Sequence, residues 1–315
     1  MLAFLVRRVV QAVVVLIGVL IITFALIHLE PGSPARAALG TRATPSAIAH
    51  FNKVNGLDAG VVSQFFSYVG RLLHGNLGYS FVQSQSVARL IGQALPKDLI
   101  LVGFATLIAL IIGIPAGLYQ AVRRNTIGDL SLQGVAFVLY AMPPFFLGLI
   151  LLAIFAIAVP ILPPEAPQST NALQILAHPL GLVLPTLTLA GISLAAFTQF
   201  MRSSSIDNLA QDYIRTAQAM GLPRRQILVR HLMMNSLIPV VTLLGLTLPA
   251  VVGGALIVEE VFNYPGMGLL FYHAALDHDY PVLLGFTLFV GVAVVVGNML
   301  ADIVYAVLDP RVRLD

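Results

Sequence analysis

The chain has no cysteine, only two lysines and few charged residues of either sign. Without cysteine, disulfides, thiolate metal sites and cysteine nucleophiles are excluded. Lys53 and Lys97 follow an asparagine and a proline, so neither can be the lysine of a Gly-Lys-Ser/Thr phosphate-binding loop. Charged residues make up 10% of the 315 residues, against about 25% in soluble globular chains. This deficit indicates a protein whose solvent is lipid, and any ATP that it uses must bind to another polypeptide.

Motifs for metal binding, hydrolysis and nucleic-acid binding are also missing. The seven histidines are scattered and form no His-Glu-x-x-His pattern, so no metal site is predicted. The net charge of +3 is too small to indicate nucleic acid as a partner. Gly191-Ile192-Ser193 leaves an intramembrane serine protease as an alternative, although a lone Gly-x-Ser in a helix is usually a packing site. We therefore expect no catalytic residue and no cofactor bound by this chain.

Long apolar runs are what the sequence has in abundance, with 58% hydrophobic residues. Six runs come near or exceed the roughly 20 residues that cross a hydrocarbon core. Because unpaired backbone groups are costly in lipid, each run predicts a helix, and the fold class is an all-α polytopic membrane protein. The first run is longer than a signal-peptide core of about 7–15 residues, so a retained span is favoured over a cleaved signal. The runs cover residues 9–29, 99–122, 133–159, 180–200, 237–258 and 282–307.

The arginines outside these runs predict the orientation of the spans. If the spans alternate, both termini and residues 202–236, which we call the polar loop, lie on one side with most of the arginines. The opposite short loops, 160–179 and 259–281, contain no lysine or arginine. The positive-inside rule then places the termini and the polar loop in the cytoplasm. The chain accordingly divides into the N-terminal tail and first span (1–30), an external loop region (31–98) and the core of spans (99–315).

Small, proline and ionisable residues inside the runs predict how the helices behave. Gly113 and Gly117 are spaced to let two helices approach closely, within the chain or at a partner interface. Pro143-Pro144 predicts a kink that neighbouring helices tolerate or, less favoured, a hinge. Asp302, with Asn298 one turn before it, is the clearest ionisable residue within a run. Because such residues are few, an ion-coupled secondary carrier has little support and stands only as an alternative.

The polar loop overlaps a stretch, residues 212–239, that predicts two helices joined at Gly221. The first helix has Ser204 as its N-cap, and Gly221 stands where a left-handed C-terminal residue is tolerated. Pro223 can open the second helix, since its missing N–H has no intrahelical partner there. In the second helix, arginines are interleaved with apolar residues. The predicted apolar face of the first helix comprises Ile206, Leu209, Ala210, Tyr213, Ala217 and Met220.

The same stretch resembles the cytoplasmic EAA loop of ATP-binding-cassette (ABC) importer permeases, in the form of the dipeptide, oligopeptide and nickel branch. The matching residues are Tyr213, Thr216, Ala217, Ala219, Gly221, Leu222, Arg225, His231, Asn235 and Pro239. Gln218 and Met220 stand where that branch usually has Arg and Lys. The resemblance implies a helix-glycine-helix knob that docks into a cleft on a separate ATPase subunit. The residues that it implies for this coupling are Tyr213, Arg215, Thr216, Ala217, Ala219, Gly221, Arg225 and His231.

Residues 259–268, Glu-Glu-Val-Phe-Asn-Tyr-Pro-Gly-Met-Gly, resemble a second signature of the same branch, which closes the fifth span on the outer side. Asp279-Tyr280-Pro281 and the terminal Asp309-Pro310-Arg311 also match, so the resemblance covers essentially the whole chain. Pro-Gly-x-Gly predicts a tight turn, and we expect Glu259 to cap or pair within the outer mouth. The residues assigned to this signature are Glu259, Pro265, Gly266 and Gly268.

The resemblance implies a type I ABC importer permease with six spans in a bacterial inner or plasma membrane. Its implied partners are a second homologous permease subunit, two ATPase subunits that bind ATP and Mg²⁺, an external substrate-binding protein and the lipid bilayer. The chain would form half of a pathway for di- or oligopeptides and would not itself be an enzyme. Glutathione and nickel systems look alike at this level, so the solute stays open among these classes.

Overall fold

The computed structural model describes residues 2–29, 32–40, 42–244 and 255–308, which are mostly helical. In this part of the chain, two short strands form an antiparallel hairpin that pairs Tyr79 with Ser86. The elements are α1 (Leu2–Leu29), α2 (Pro34–Leu39), α3 (Pro45–Asn55), α4 (Val61–Leu73), β1 (Tyr79–Ser80), β2 (Gln85–Ser86), α5 (Val87–Val122), α6 (Ile127–Ala141), α7 (Pro144–Leu152) with a π-helix (Ala153–Ala158), α8 (Ala172–Leu176), α9 (Leu180–Leu209), α10 (Asp212–Ala219), α11 (Arg224–Gln226), a second π-helix (Ile227–Met233), α12 (Met234–Ser236), α13 (Ile238–Leu244), α14 (Leu256–Val261), α15 (Met267–Leu276) and α16 (Tyr280–Leu308).

Among the described residues, four helices, α1, α5, α9 and α16, are long and apolar enough to cross a membrane. Two bent pairs pass the same test, α6 with α7 and α11 to α12 with α13, although α11 and α12 belong to the polar loop. Five of the predicted spans fall on helices; of the fifth, α13 and the start of α14 are helical, and residues 245–254 lie outside the described part. Several helices begin earlier or end later than predicted. Among them, α1 begins at Leu2 rather than at residue 9, α5 begins at Val87 rather than at about residue 99, and α9 continues to Leu209.

The N-terminal extension of α5 packs into the protein instead of facing lipid or water. Val87, Leu90 and Ile91 are buried in one cluster with side chains of α1, α15 and α16. Lys97 and Asp98 follow in the same helix and are also buried, with 5% and 0% of their surface exposed. The prediction that Lys97 lies in an external loop is therefore wrong, and the predicted boundary at residue 98 falls inside a helix.

The region before α5 forms short helices that pack on the ends of α1 and α16. The Phe24 and Phe65 rings meet edge to face with centroids 5.3 Å apart. His28 Nε2 lies 3.2 Å from Gln64 Oε1, which joins the end of α1 to α4. Ser80 Oγ donates a hydrogen bond to Asp279 Oδ2 at the start of α16. This region is thus a small helical cap on the ends of α1 and α16.

The double proline produces a break between α6 and α7 that is sharper than the predicted kink. The axes of the two helices differ by 105°. Met142 and Pro143 have ψ angles of 127° and 140°, both extended. A residue that precedes proline avoids the helical region, and two prolines in succession impose this on both positions. The third span is therefore a broken helix.

The close approach of α5 and α9 explains the paired glycines. A Cβ atom at Gly117 would lie 2.5 Å from Thr198 O and 2.7 Å from Met201 Cβ. These distances are too short for any side chain at this position. At Gly113 the nearest atom, Phe197 Cβ, would be 3.2 Å away. Of the two predicted uses of this motif, packing within the chain is therefore the observed one.

Candidate functional site

The polar loop begins with a break that the sequence interpretation missed. The predicted N-cap, Ser204, is buried inside α9, and its carbonyl accepts a hydrogen bond of 2.8 Å from Asn208 Nδ2. The break falls at Gln211, whose ψ of 151° is extended, and α10 starts at the next residue. Tyr213 Oη donates to Asn208 Oδ1 at 2.6 Å and so holds α10 against the end of α9. Burial raises the pKa of Tyr213, which keeps this phenol a proton donor.

Gly221 ends the first helical segment as predicted. Its φ of +74° is left-handed, and its N–H donates to Gln218 O at 3.0 Å. Leu222 N–H donates to Ala217 O at 3.3 Å, so the last carbonyls of α10 are satisfied. No atom lies within 4 Å of a Cβ at Gly221, so glycine is needed for the backbone conformation and not for space. Pro223 immediately precedes α11 instead of being its first helical residue.

The second segment is irregular because its apolar residues follow a different period. Residues 227–233 form a π-helix, in which hydrogen bonds span five residues. Ile227 and Leu232, five residues apart, are both buried. His231 is half-buried, and Arg230 faces solvent. The interleaving of arginines with apolar residues in the sequence is the signal of this period.

A small apolar cluster fastens the polar loop to the spans. Ile214, Ala217, Ile227 and Leu232 are its buried members, and side chains from the ends of α5 and α9 pack against them. Ala217 is 4% exposed, so it cannot contact a partner, and the expectation that it belongs to the docking surface is wrong. Ile214, three positions before Ala217, was not assigned to the apolar face. Its burial could have been predicted from that helical spacing.

Of the remaining residues assigned to coupling, Tyr213 and His231 are half-buried, whereas the others are exposed and belong to a surface that we call the docking face. Arg215 has 72% of its side chain exposed and pairs at 3.2 Å with Asp212, whose side chain is 94% exposed. Met220 is 70% exposed, so its predicted place on the buried face is wrong. The docking face comprises Arg215, Thr216, Gln218, Ala219, Met220, Gly221, Arg224 and Arg225.

A buried ion pair ties α9 to α6 beside this loop. Arg202 Nε donates to Asp129 Oδ1 and Arg202 Nη2 donates to Asp129 Oδ2, both at 3.0 Å, so the ion pair is bidentate. Asp129 also accepts from Gln133 Nε2 at 2.7 Å and from Asn125 N at 2.9 Å. Asp129 is fully buried. The sequence interpretation used Arg202 only as a marker of orientation, because nothing local in the sequence pairs positions 129 and 202.

The second signature forms a helical hairpin, α14, a turn and α15, which we call the signature hairpin. Glu259 is fully buried, and its Oε2 accepts a hydrogen bond of 2.8 Å from Leu269 N near the start of α15. Its Oε1 accepts from Ala255 N. Glu259 thus caps backbone groups, one of the two roles expected for it. Burial raises the pKa of this carboxyl group.

The glycines of the signature are required for space. A Cβ at Gly268 would lie 2.5 Å from Leu256 Cα, and one at Gly266 would lie 2.5 Å from Glu259 Oε2 and collide with Asp98 Oδ1. Asp98 Oδ2 accepts from Met267 N at 3.0 Å. Asp98, which the sequence interpretation did not single out, is therefore part of this site.

Neighbouring residues of the signature complete the contact with α5. Tyr264 is fully buried, and its Oη donates to Lys97 O at 2.6 Å. Pro265 is half-buried and precedes the N-terminus of α15. The signature hairpin is thus a closed contact within the chain.

The alternatives to a permease gain no support from these residues. Gly191 faces Leu147 of α7, and a Cβ atom at Gly191 would lie 3.0 Å from Leu147 Cδ2, which is the packing role. Among the described residues, no group of three or more His, Cys, Asp or Glu could hold a metal ion. The surroundings of the Asp302 side chain lie outside the part of the protein that the structure describes.

Comparison with known proteins gives matches over nearly the whole length. The family described as "Binding-protein-dependent transport system inner membrane component" matches residues 113–314, and its N-terminal companion matches residues 1–102. The chain is 34% identical to oligopeptide transport system permease protein AppB of Bacillus subtilis, over 99% of this chain and 100% of the relative. It is 36% identical to the probable D,D-dipeptide transport system permease protein DdpB of Escherichia coli, over 95% and 94%. A putative peptide permease protein of Brucella ovis is 35% identical over the full length of both chains.

Proposed function

The chain belongs to the family of binding-protein-dependent transport system inner membrane components, and from this premise we propose that it is the permease subunit of an ATP-driven importer of di- or oligopeptides. The relatives named above are permeases of oligopeptide and D,D-dipeptide transport systems. The chain forms one half of the pathway, and a second homologous permease forms the other. An external binding protein delivers the peptide, and two ATPase subunits bind ATP and Mg²⁺.

The docking face carries this proposal. It is a cationic and apolar surface with an exposed methionine, and it is joined to the spans through a buried apolar cluster. Exposed apolar side chains rimmed by polar ones are typical of protein interaction sites. The polar loop lies in the cytoplasm, where the ATPase subunits are, and the docking face enters a cleft on one of them.

Coupling requires a contact that differs between two states of the ATPase. Transport can be driven only if the ATPase state and the pathway state share a free energy of interaction. Closure of the ATPase pair displaces the docking face, and the cluster of Ile214, Ala217, Ile227 and Leu232 passes this displacement to the ends of α5 and α9. The pathway then changes from inward-facing to outward-facing.

The test is Gly221→Val in the assembled complex reconstituted in vesicles. A β-branched residue in the left-handed conformation is disfavoured by about 1–2 kcal/mol, so the turn changes shape. We expect the complex to assemble and to hydrolyse ATP, with much less peptide taken up per ATP. ATP hydrolysis and uptake of labelled peptide are measured on the same vesicles.

Gly56→Val is the matched control. Gly56 ends α3 with φ +68°, and no atom lies within 4 Å of its Cβ position, as at Gly221. The backbone penalty is therefore the same, but the position is far from the docking face, and uptake per ATP should be unchanged. An unaltered ratio in Gly221→Val, or an equal loss in both variants, would contradict the proposal. Uptake by the chain without ATPase subunits in a pH or sodium gradient would instead favour a secondary carrier.

A further inference from the structure

Two carboxyl groups from distant parts of the chain meet at Gly266. Asp98 belongs to α5 and Glu259 to α14, and both side chains are completely buried. Asp98 Oδ1 and Glu259 Oε2 would both clash with a Cβ atom at Gly266. Since both oxygens lie within 2.5 Å of this one Cβ position, they are at most about 5 Å apart.

The donors around this pair, among the described residues, serve Glu259 better than Asp98. Glu259 accepts from the backbone N–H groups of Ala255, Gly268 and Leu269, and Asp98 Oδ2 accepts from that of Met267. Asp98 Oδ1 has no hydrogen-bond partner among the described residues, although it is buried. A buried carboxylate oxygen without a donor is strongly unfavourable, and a second carboxylate beside it adds repulsion.

The other titratable groups that face the pair compensate it only in part, because the Lys97 ammonium attracts Asp98 without forming an ion pair with it. Tyr264 Oη donates to Lys97 O and therefore not to either carboxyl group. Among the ion pairs of the described residues, such as Arg202 with Asp129, none joins Lys97 to either carboxylate. A hydrogen between Asp98 Oδ1 and Glu259 Oε2 would satisfy both oxygens.

We propose that Asp98 and Glu259 hold one proton between them, so that a single O–H···O hydrogen bond joins α5 to the signature hairpin. Like charges this close cannot both ionise readily, and one proton makes an acceptor of one group and a donor of the other. Gly266 leaves the gap open, because any side chain there would separate the two groups. The shared proton thus stabilises the contact between α5 and the signature hairpin.

The pair makes the contact dependent on pH in a defined direction. Burial raises the pKa of Glu259 above its ordinary value. A carboxyl group whose pKa is raised by folding stabilises the fold at low pH, and the stabilisation is lost as the pH rises through the folded-state pKa. Any movement that parts α5 from the hairpin exposes the pair to water and releases the proton.

Infrared spectra of the full-length chain, purified with its copurifying subunits in lipid, test this inference. At neutral pH we expect a band of a protonated carboxylic acid that disappears in Asp98→Asn and also in Glu259→Gln. In either variant the new amide donates to the remaining carboxyl group, which then ionises. Glu260→Gln, a change at the adjacent exposed residue, should keep the band.

Each other outcome overturns the proposal. If the band is lost in only one variant, the proton belongs to one carboxyl group alone. If it is absent from the unsubstituted chain or kept in both variants, the pair holds no proton. The spectra are taken without peptide or ATP, so failure of the proposed transport function would not change them.

The pH dependence of thermal unfolding gives a second measurement. The unfolding midpoint of the unsubstituted chain and of Glu260→Gln should fall as the pH is raised above neutral. That of Asp98→Asn and Glu259→Gln should fall less, because an amide donates its hydrogen bond without titrating. An equal fall in all four proteins would contradict the shared proton.

Discussion

The two ends of α9 contact regions that are built in opposite ways. At its start, Leu182 packs against Tyr264, and Leu184 against Val258 and Phe262 of the signature hairpin. At its end, the polar loop rests on a small apolar cluster and leaves Arg215, Arg224, Arg225 and Arg230 in solvent. The hairpin satisfies its polar groups inside the chain, whereas the loop presents polar groups outward. One end closes on itself, and the other is the one that we propose to bind an ATPase subunit.

This contrast predicts that buried polar contacts matter far more than exposed ones even within one end. Asp129→Ala removes the buried carboxylate that pairs with Arg202 and leaves the charge of Arg202 uncompensated. We expect a loss of about 3–5 kcal/mol in stability. Asp212→Ala removes the partner of Arg215, and because both side chains are largely exposed, we expect about 0–1 kcal/mol. Unfolding in detergent, followed by circular dichroism, compares the two variants. Similar losses of stability in the two variants would contradict the contrast between buried and exposed polar contacts.

The next largest effect tests the closed packing of the hairpin. In Gly268→Ala the added methyl group would lie 2.5 Å from Leu256 Cα. Overpacking of this kind costs about 1–3 kcal/mol, so the unfolding midpoint should fall. Gly60→Ala is the control, since nothing lies within 4 Å of its Cβ position and its φ is −58°. A stable Gly268→Ala protein would show that the hairpin is looser than its contacts indicate.

The smallest effect tests the openness of the polar loop. Asparagine tolerates the left-handed conformation, so Gly221→Asn should change stability by well under about 1 kcal/mol and keep uptake coupled to ATP hydrolysis. Gly268→Asn should be at least as damaging as Gly268→Ala, since its limit is space. Uptake per ATP and the unfolding midpoint are compared for both asparagine variants. Loss of coupling in Gly221→Asn would mean that a side chain at this turn obstructs the partner.

The sequence predicted the spans and the left-handed turn because both depend on local chemistry. Apolar length decides which residues cross lipid, and a positive φ selects glycine at 221. The start of α5 was placed too late because Lys97 and Asp98 lower the hydropathy of a segment that is buried by neighbouring helices. The contacts of Asp98 with Glu259 and of Asp129 with Arg202 could not be predicted, because each joins residues far apart in the chain through tertiary packing.

The unbroken length of α9 has a mechanical consequence. Thirty helical residues from Leu180 to Leu209 form a rod of about 45 Å, since each residue adds about 1.5 Å. Tilting this helix by about 5° about one end moves the other end by about 4 Å, roughly three-quarters of a helical pitch. Under the proposed function, a modest tilt imposed on α9 at the polar loop is therefore enough to shift side-chain contacts at the other end of the helix.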